Sequence, residues 1–529
     1  MYRDRPRPPL GTSPGWDPVT ERSVPPSPGE RLAPVFVFAA SLVLYLRTLL
    51  PGMAFDDWGE MQTVPHVVGI AHPTGYPTYT ILAWLFELLP FGSIAFRANL
   101  FAAVCVAVAL AAMTNTSMRL GVRPAIAAAV ALATAGIGTV WASAVIAEVN
   151  ALHLALIALI VDRSLAWADG LRTRDLALGG FLVGLSLGNH LLTAFVAPFF
   201  IAFALWAGRW TLMEHKRLLL VPAVAGLAGL AVYLYIPIAA SFSPPLPYNH
   251  PTTLEAFRSL VTGEQFRGQY SGLFTPQSLA TMADGLPDLW LTAASRATAI
   301  VPVLGLVGIG ILVVKRPAFG LACAGALLVG IDIWATYLHL EHYLLVPWLL
   351  LGIGSAVSLE WTARMALRYL PRPTKTLAGP GVTVAAAAFA VALIWVNLPG
   401  ADKSGDRSAR TYVDMVWAAL PENAAILSFW GPTPPLWHAQ QVLGERPDVL
   451  VVDDTNIVYE GWGTREARIA SVICTRPVFI LPVNKSILDP TLKLYDVTPV
   501  ATVPIGALGP TAQFNMPVYR VDARPGTCP

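Results

Sequence analysis

Tyr76-Pro77-Thr78-Tyr79-Thr80-Ile81-Leu82-Ala83-Trp84-Leu85-Phe86-Glu87-Leu88-Leu89-Pro90-Phe91 is the stretch on which the topology of this chain turns. It is apolar, yet Pro77 and Pro90 break it and Glu87 lies inside it, so apolarity alone leaves it ambiguous. Charge decides, because Lys and Arg accumulate in cytoplasmic loops while acidic residues hardly count. If the stretch does not span, one inner side collects the Arg-rich N-terminal tail, Arg119 with Arg123, and Arg163 with Arg172 and Arg174. Arg209 with Lys216 and Arg217, Lys315 with Arg316, and Arg364 to Lys375 join them there. If it spans, Arg119, Arg123 and the clusters that follow fall outside. The stretch is therefore expected to be an amphipathic helix lying on the outer membrane surface.

Working outward, 55% of the 529 residues are hydrophobic and only 13% charged, about half the charge of an ordinary soluble domain. Apolar runs of about 20 residues, the length a bilayer core requires, start near Leu32, Ala98, Ala125, Ala151, Leu176, Leu191, Leu218, Ala297, Phe319, Tyr343 and Leu377. They predict an all-α polytopic membrane domain of about eleven transmembrane helices. Residues 1–31 lack periodicity and are rich in Pro, Gly, Ser and Arg, which predicts a disordered cytoplasmic tail. The Leu32 to Leu50 run lacks a small-residue cleavage site and lies too far in for a signal peptide, so it is read as an anchor.

The membrane domain is thus placed at 32–397, with outer loops at 51–96 and 240–296. Residues 398–529 alternate short apolar runs such as Asp448 to Val452 and Val478 to Leu481 with a helical pattern from Ser408 to Leu420, which predicts a small extracytoplasmic α/β domain. The expected localisation is the plasma membrane, multi-pass, with a cytoplasmic N-terminus. A net charge of +2 and the lack of a basic stripe interleaved with aromatics exclude a nucleic-acid binder. The four cysteines have no metal-site spacing. Cys474 and Cys528 could form a disulfide if their region is extracytoplasmic.

The first outer loop opens with Phe55-Asp56-Asp57-Trp58-Gly59-Glu60, three carboxylates within five residues. Such a cluster suits a general base or a divalent-cation site, and equally a solvated helix end. The segment that follows, Gly69-Ile70-Ala71-His72-Pro73-Thr74-Gly75-Tyr76-Pro77, imposes a fixed non-helical backbone that a merely solvated loop would not need. Here the chain resembles the multi-span family with an Asp-x-Gly-Glu motif followed by His-Pro-Pro-Gly-Tyr-Pro, which includes the eukaryotic transmembrane protein O-mannosyltransferases. The resemblance continues through Phe96-Arg97-Ala98-Asn99-Leu100-Phe101, Ala147-Glu148-Val149-Asn150-Ala151-Leu152-His153 and Gly184-Leu185-Ser186-Leu187-Gly188-Asn189-His190. It runs on in Tyr235-Ile236-Pro237-Ile238, Pro251-Thr252-Thr253-Leu254 and Val261-Thr262-Gly263-Glu264-Gln265-Phe266, covering about half the chain in order. Thr74 replaces a proline and Trp58 a serine, and neither change removes a titratable group. Nearer the C-terminus, Ala418 to Ala424 and Gly444 to Val449 also look like this family, and a Gly-Asp usually seen between them stands here as Gly431-Pro432.

What the resemblance implies is a C-type glycosyltransferase fold. A polyprenyl-phosphate sugar enters from the lipid and an exported protein or glycan acceptor approaches from outside. It places the family aspartate on Asp57 and its glutamate on Glu60, with Asp56 as neighbour; Asp57 is the expected base. In an inverting transfer the acceptor hydroxyl attacks opposite the phosphate, so one carboxylate suffices, unlike glycoside hydrolysis, where two cooperate. The leaving phosphate needs a counter-charge, for which guanidinium forks are suited. Arg97, Arg258, Arg267 and Arg296 are the candidates on the outer side, Arg97 foremost. His72, Tyr76, Glu148, Asn150 and His190 are expected to line the substrate cavity, with His153 near them. Ionisable groups at such helix ends are costly facing lipid, although histidines there are more often structural.

Asp332, His339, Glu341 and His342 either line the same cavity or pair with one another. A divalent cation on Asp56, Asp57 and Glu60 with His339 and His342 is the alternative counter-charge; a monophosphate donor favours no metal and no other cofactor. The expected reaction is transfer of a hexose, mannose foremost, to Ser or Thr of an exported protein. The alternatives are a glycolipid or cell-wall glycan acceptor, a transporter or flippase, or a sensor whose outer domain binds a partner. Transporters usually show internal inverted repeats, and none is evident here.

Overall fold

The computed structural model describes residues 27–267, 275–336, 340–369, 371–455, 457, 461–484, 488–506, 513–526 and 528, with the side chains of 372–378, 506 and 513 left aside. Residues 1–26 of the expected tail and His339 lie outside the described residues. The first helix, α1 (Pro28–Thr48), begins on a capping box in which Ser27 and Glu30 satisfy each other's backbone N–H. Two short helices follow, α2 (Asp56–Met61) and α3 (Pro77–Glu87), and then the long α4 (Ile94–Arg119). The decisive stretch is thus an 11-residue helix, which at about 1.5 Å per residue reaches roughly half of a bilayer core. It packs along α4, and Thr78 donates to the Leu185 carbonyl at 2.8 Å.

All eleven apolar runs are helical. Among the described residues, seven helices are long and apolar enough to cross a membrane. The count is nine if Pro124–Ala135 with Gly138–Ala144, and Pro276–Ala297 with Ile300–Lys315, are each one bent span, and Thr193–Ala207 is a shorter apolar helix. Of the four runs that are not straight full-length spans, two are the 15-residue helices Thr173–Leu187 and Thr193–Ala207 and two are the bent pairs. The bent pairs turn by 75° and 109°, which frees carbonyls that a straight helix would satisfy. Asn397 answers both bends, donating to the Gly136 carbonyl at 2.8 Å and the Arg296 carbonyl at 2.9 Å. The helices at Lys216–Ser241 and Gly379–Ala401 leave most of their apolar surface outside the protein core, as lipid-facing helices do. The chain is a multi-pass membrane protein.

Basic clusters assigned to one side meet at one end of the helical domain. Arg119 pairs with Asp162, Asp169 with Arg316, Arg163 with Asp175, and Arg123 and Arg364 share Glu360. Elements assigned to the other side also meet. Leu50 donates to the Val145 carbonyl, Asn99 Oδ1 accepts from Ala147, and Lys403 donates to the Thr48 carbonyl. The segment 240–296, expected as an outer loop, holds a helix at Leu254–Val261 and most of the helix Pro276–Ala297.

The C-terminal region is an α/β unit with a five-stranded sheet in the order β2-β1-β3-β5-β4. Strands β1 (Ala425–Ser428), β2 (Leu450–Asp453) and β3 (Val478–Leu481) run parallel, while β4 (Tyr495–Gly506) and β5 (Gln513–Ala523) form an antiparallel ribbon. Met53 and Phe55 of the first loop are buried in this unit's core with Tyr412, Val413 and Leu436. Cys474 and Cys528 are bridged, their Cα atoms 5.5 Å apart, tying the chain end to the turn before β3. Cys474→Ser is expected to destabilise the C-terminal unit by about 2–4 kcal/mol, and added reductant should lower the melting temperature of the native chain to that of the variant while leaving the variant unchanged.

Candidate active site

The acidic hexapeptide is a wedge between the two units. Its backbone starts in the left-handed region at Asp56, φ 55°, a conformation that Asp tolerates better than most residues. The Asp56 N–H is held at 2.9 Å by the carbonyl of Gly431, in the loop after β1. A Cβ at 431 would lie 2.7 Å from Asp56 Oδ1, so the Asp56 carboxylate would have to shift. On the next turn Gly59 faces the outer helix Thr433–Gln441, where an added Cβ would meet Pro434 Cβ at 2.9 Å and the Ala54 carbonyl oxygen at 2.3 Å. Thr63 hydrogen-bonds His438 Nδ1 at 3.2 Å across the same contact. Below the wedge, Gln62 reaches the Ala54 N–H and Asn99, so that Asn99 of the Arg97 motif fixes the loop.

The carboxylates then part ways. Glu60 is buried, and both its oxygens accept from His72: Oε1 from the backbone N–H at 2.9 Å, Oε2 from Nδ1 at 2.5 Å. Tyr76, at the other face of the ring, bonds His72 Nε2 at 3.1 Å. Asp56 is buried and its carboxyl is pushed up to about 7, by burial first and by Asp57 second. Asp57 is different, with a side chain 57% exposed, one oxygen 3.9 Å from His72 Nε2 and the other accepting from Trp430 Nε1 at 2.6 Å. It is the carboxylate an incoming molecule can reach.

Burial alone would lower His72, but the Glu60 and Asp57 carboxylates and the Glu60 hydrogen bond outweigh it and raise the imidazole to about 9. Burial likewise raises Glu60, with His72 opposing. Because an unfolded histidine titrates near about 6.5, the folded chain keeps a proton that the unfolded chain has lost. That stabilisation is complete below about pH 6.5 and disappears as pH rises through about 9, on the order of 3 kcal/mol. The melting temperature of the native protein should fall over this window relative to His72→Gln, and parallel curves would contradict the Glu60–His72 pair.

The structure brings Asp56, Asp57, Glu60, His72 and Tyr76 together, and Glu148, Asn150 and His190 adjoin them. Glu148 accepts from Trp58 Nε1 at 2.8 Å and caps its own helix through Asn150, at 3.1 Å to the N–H and 2.9 Å to Nδ2. The His190 ring lies 6.0 Å from Tyr76 and 5.4 Å from His153. Its Nδ1 accepts from the Leu192 N–H, which puts the ring proton on Nε2. Burial holds His190 in the neutral form, and His153, His342 and His72 add to that effect.

Three of the four candidate arginines have partners elsewhere. Arg97 Nη1 donates to the Glu87 and Leu89 carbonyls, so it caps α3. Arg296 forms a bidentate pair with Glu341, which also accepts from Thr139, and Arg267 pairs with Glu264 on the surface. No group of three or more His, Cys, Asp or Glu side chains is arranged to hold a metal among the described residues.

Three aromatic residues were not singled out in the sequence. Trp430 and Tyr248 close around His72, at 5.6 and 6.5 Å between ring centroids, and Trp437 packs against Trp430 at 5.8 Å. The bridge of Ile70 to Pro247 places Tyr248 there, with the Tyr248 N–H on the Ile70 carbonyl at 3.1 Å. The available signal was the Trp430-Gly431-Pro432 turn directly after a parallel strand, where ligand-facing loops of open α/β sheets occur.

This architecture matches solved membrane proteins over nearly its whole length. ArnT from Cupriavidus metallidurans bound to undecaprenyl phosphate superposes with a TM-score of 0.58 at 12% identity, covering 94% of this chain and 98% of that one. The Archaeoglobus fulgidus oligosaccharyltransferase in complex with zinc and sulfate gives 0.51 at 12% identity, covering 84% and 68%. The fold is that of the C-type membrane glycosyltransferases. Residues 57–214 match the model of the Protein O-mannosyl-transferase TMEM260 N-terminal domain. Mouse Protein O-mannosyl-transferase TMEM260 is 30% identical over 243 residues, 44% of this chain and 34% of the mouse protein, and the Dictyostelium discoideum protein of that name is 38% identical over 53 residues, 10% of this chain and 6% of its own. Residues 57–214 are thus similar to the N-terminal domain of this protein O-mannosyltransferase family. It spans about a third or less of the length of these relatives.

Proposed function

We propose that the protein is a membrane glycosyltransferase that moves a hexose, mannose foremost, from a polyprenyl-phosphate carrier to a hydroxyl of an exported protein. The observation that carries this reading is the exposed Asp57 carboxylate, set at the junction of a C-type membrane domain and an outer unit. Asp57 takes the acceptor proton as the Ser or Thr oxygen bonds to the anomeric carbon, the bond to phosphate oxygen breaks on the opposite face, and the configuration inverts. The buried Glu60–His72 pair keeps positive charge beside Asp57, and Tyr76, His190 and Asn150 line the donor side. With Arg97 and Arg296 engaged, counter-charge for the departing phosphate falls to His72 and to dipoles of the cavity.

The reaction is proposed to run without a resident metal. The oxygens a cation would need on Glu60 already accept from His72, and one on Asp57 accepts from Trp430. The donor class is supported by the undecaprenyl phosphate bound to the ArnT structure of the same fold, and the acceptor class by the names of the mouse and Dictyostelium relatives. The proposed topology puts the N-terminus in the cytoplasm and the site outside the plasma membrane, in keeping with a disulfide in the outer unit. Mass spectrometry of exported proteins and envelope glycans with and without the gene tests the assignment. Loss of hexose from specific Ser or Thr residues is expected; loss from a glycolipid or wall glycan alone would reassign the acceptor, and no change in any glycoconjugate would refute the function.

A further inference from the structure

Trp430 belongs to the outer unit, yet its indole reaches the membrane domain's first loop. Its backbone N–H is anchored on Thr455 Oγ1 at 3.3 Å, and Thr455 is in turn held by Asp453 at the carboxyl end of β2. Its ring stands edge to face against His72, Tyr248 and Trp437, at interplanar angles of 78°, 80° and 79°. Those neighbours come from the first outer loop, the second outer loop and the outer helix, so the indole has little freedom to rotate. Its one polar atom is spent on Asp57 Oδ1 at 2.6 Å. An indole nitrogen can only donate, and a donor fixed on one carboxylate oxygen leaves the other oxygen for the incoming proton.

We propose that Trp430 is the positioning residue for the catalytic carboxylate, so that the outer unit completes the active site. This rests on the transferase reading above. The indole selects one rotamer of an otherwise exposed side chain, and Oδ2 is presented toward the acceptor with His72 behind it. Such a group acts on the rate of the chemical step and not on donor binding, because its one polar atom is directed at the base.

The test uses the full chain in lipid vesicles, with polyprenyl-phosphate mannose as donor and a Ser/Thr peptide as acceptor. Trp430→Phe keeps a ring but loses the N–H, and should lower kcat roughly ten- to hundredfold, the range for losing a hydrogen bond to a charged group, with the donor KM unchanged. Trp430→His places an N–H at the same distance along the side chain and should recover most of the loss, which separates a missing donor from a damaged fold. Wild-type kcat in Trp430→Phe beside an inactive Asp57→Asn would overturn the positioning role and leave the transferase reading intact. A raised donor KM at unchanged kcat would also overturn it, as would failure of Trp430→His to recover any activity. If the native chain transfers no sugar, both readings fall together.

Discussion

Asp57→Asn is expected to reduce sugar transfer by about a thousandfold or more, within the range by which a positioned general base accelerates proton transfer, while leaving the melting temperature close to that of the native protein. The stability half of this expectation follows from exposure. Asp57 has a side chain 57% exposed and no ion pair shorter than the 3.9 Å approach of His72, so little folding energy is tied to its charge. Asparagine keeps an oxygen for the Trp430 N–H but cannot take a proton. The matching change at Glu60 behaves differently. Glu60→Gln would leave buried His72 facing an amide instead of a carboxylate, and removal of one partner from a buried pair is costly. A variant set in which Asp57→Asn loses activity but not stability, and Glu60→Gln loses both, therefore separates the base from its support. Equal stability loss in the two would contradict the division of roles.

Gly59→Ala is expected to cost about a hundredfold in activity with a stability loss of about 1–3 kcal/mol. The stability loss is that of forcing a methyl into an already packed contact. Its Cβ would stand 2.3 Å from the Ala54 carbonyl oxygen and 2.9 Å from Pro434 Cβ. Neither neighbour is the flexible end of a side chain, so α2 and the outer helix must separate. Asp57 is two residues away, and a displacement of about 1 Å at a reacting group can cost a factor of about a hundred. Kinetics of the purified variant would show the loss in kcat; native kcat would mean that the two units do not grip the loop as described.

Much of this was legible in the chain itself. The Tyr76 to Phe91 stretch reads as a non-spanning helix because basic clusters on either side of it need a common end. The ion pairs of Arg119, Arg163 and Arg123 with acids of other helix ends place those clusters at one end. Asp57, Glu60, His72 and Tyr76 were legible as neighbours because they lie within one rigid loop. The roles of Arg97 and Arg296 were not. A motif arginine beside a site suggests phosphate, but whether its fork is free depends on carbonyls such as those of Glu87 and Leu89, exposed where α3 ends. Nor could periodicity reveal the bends answered by Asn397, or bring Trp430 across 373 residues of sequence onto Asp57. Those contacts arise from the packing of two units, which local pattern does not encode.

The most direct measurement is single-turnover transfer by the purified full chain in vesicles, with polyprenyl-phosphate mannose labelled in the sugar and a Ser/Thr peptide as acceptor. The account predicts that label appears on the peptide with the anomeric configuration opposite to that of the donor, and that Asp57→Asn abolishes it. Retained configuration, or equal labelling by native and Asp57→Asn protein, would contradict it.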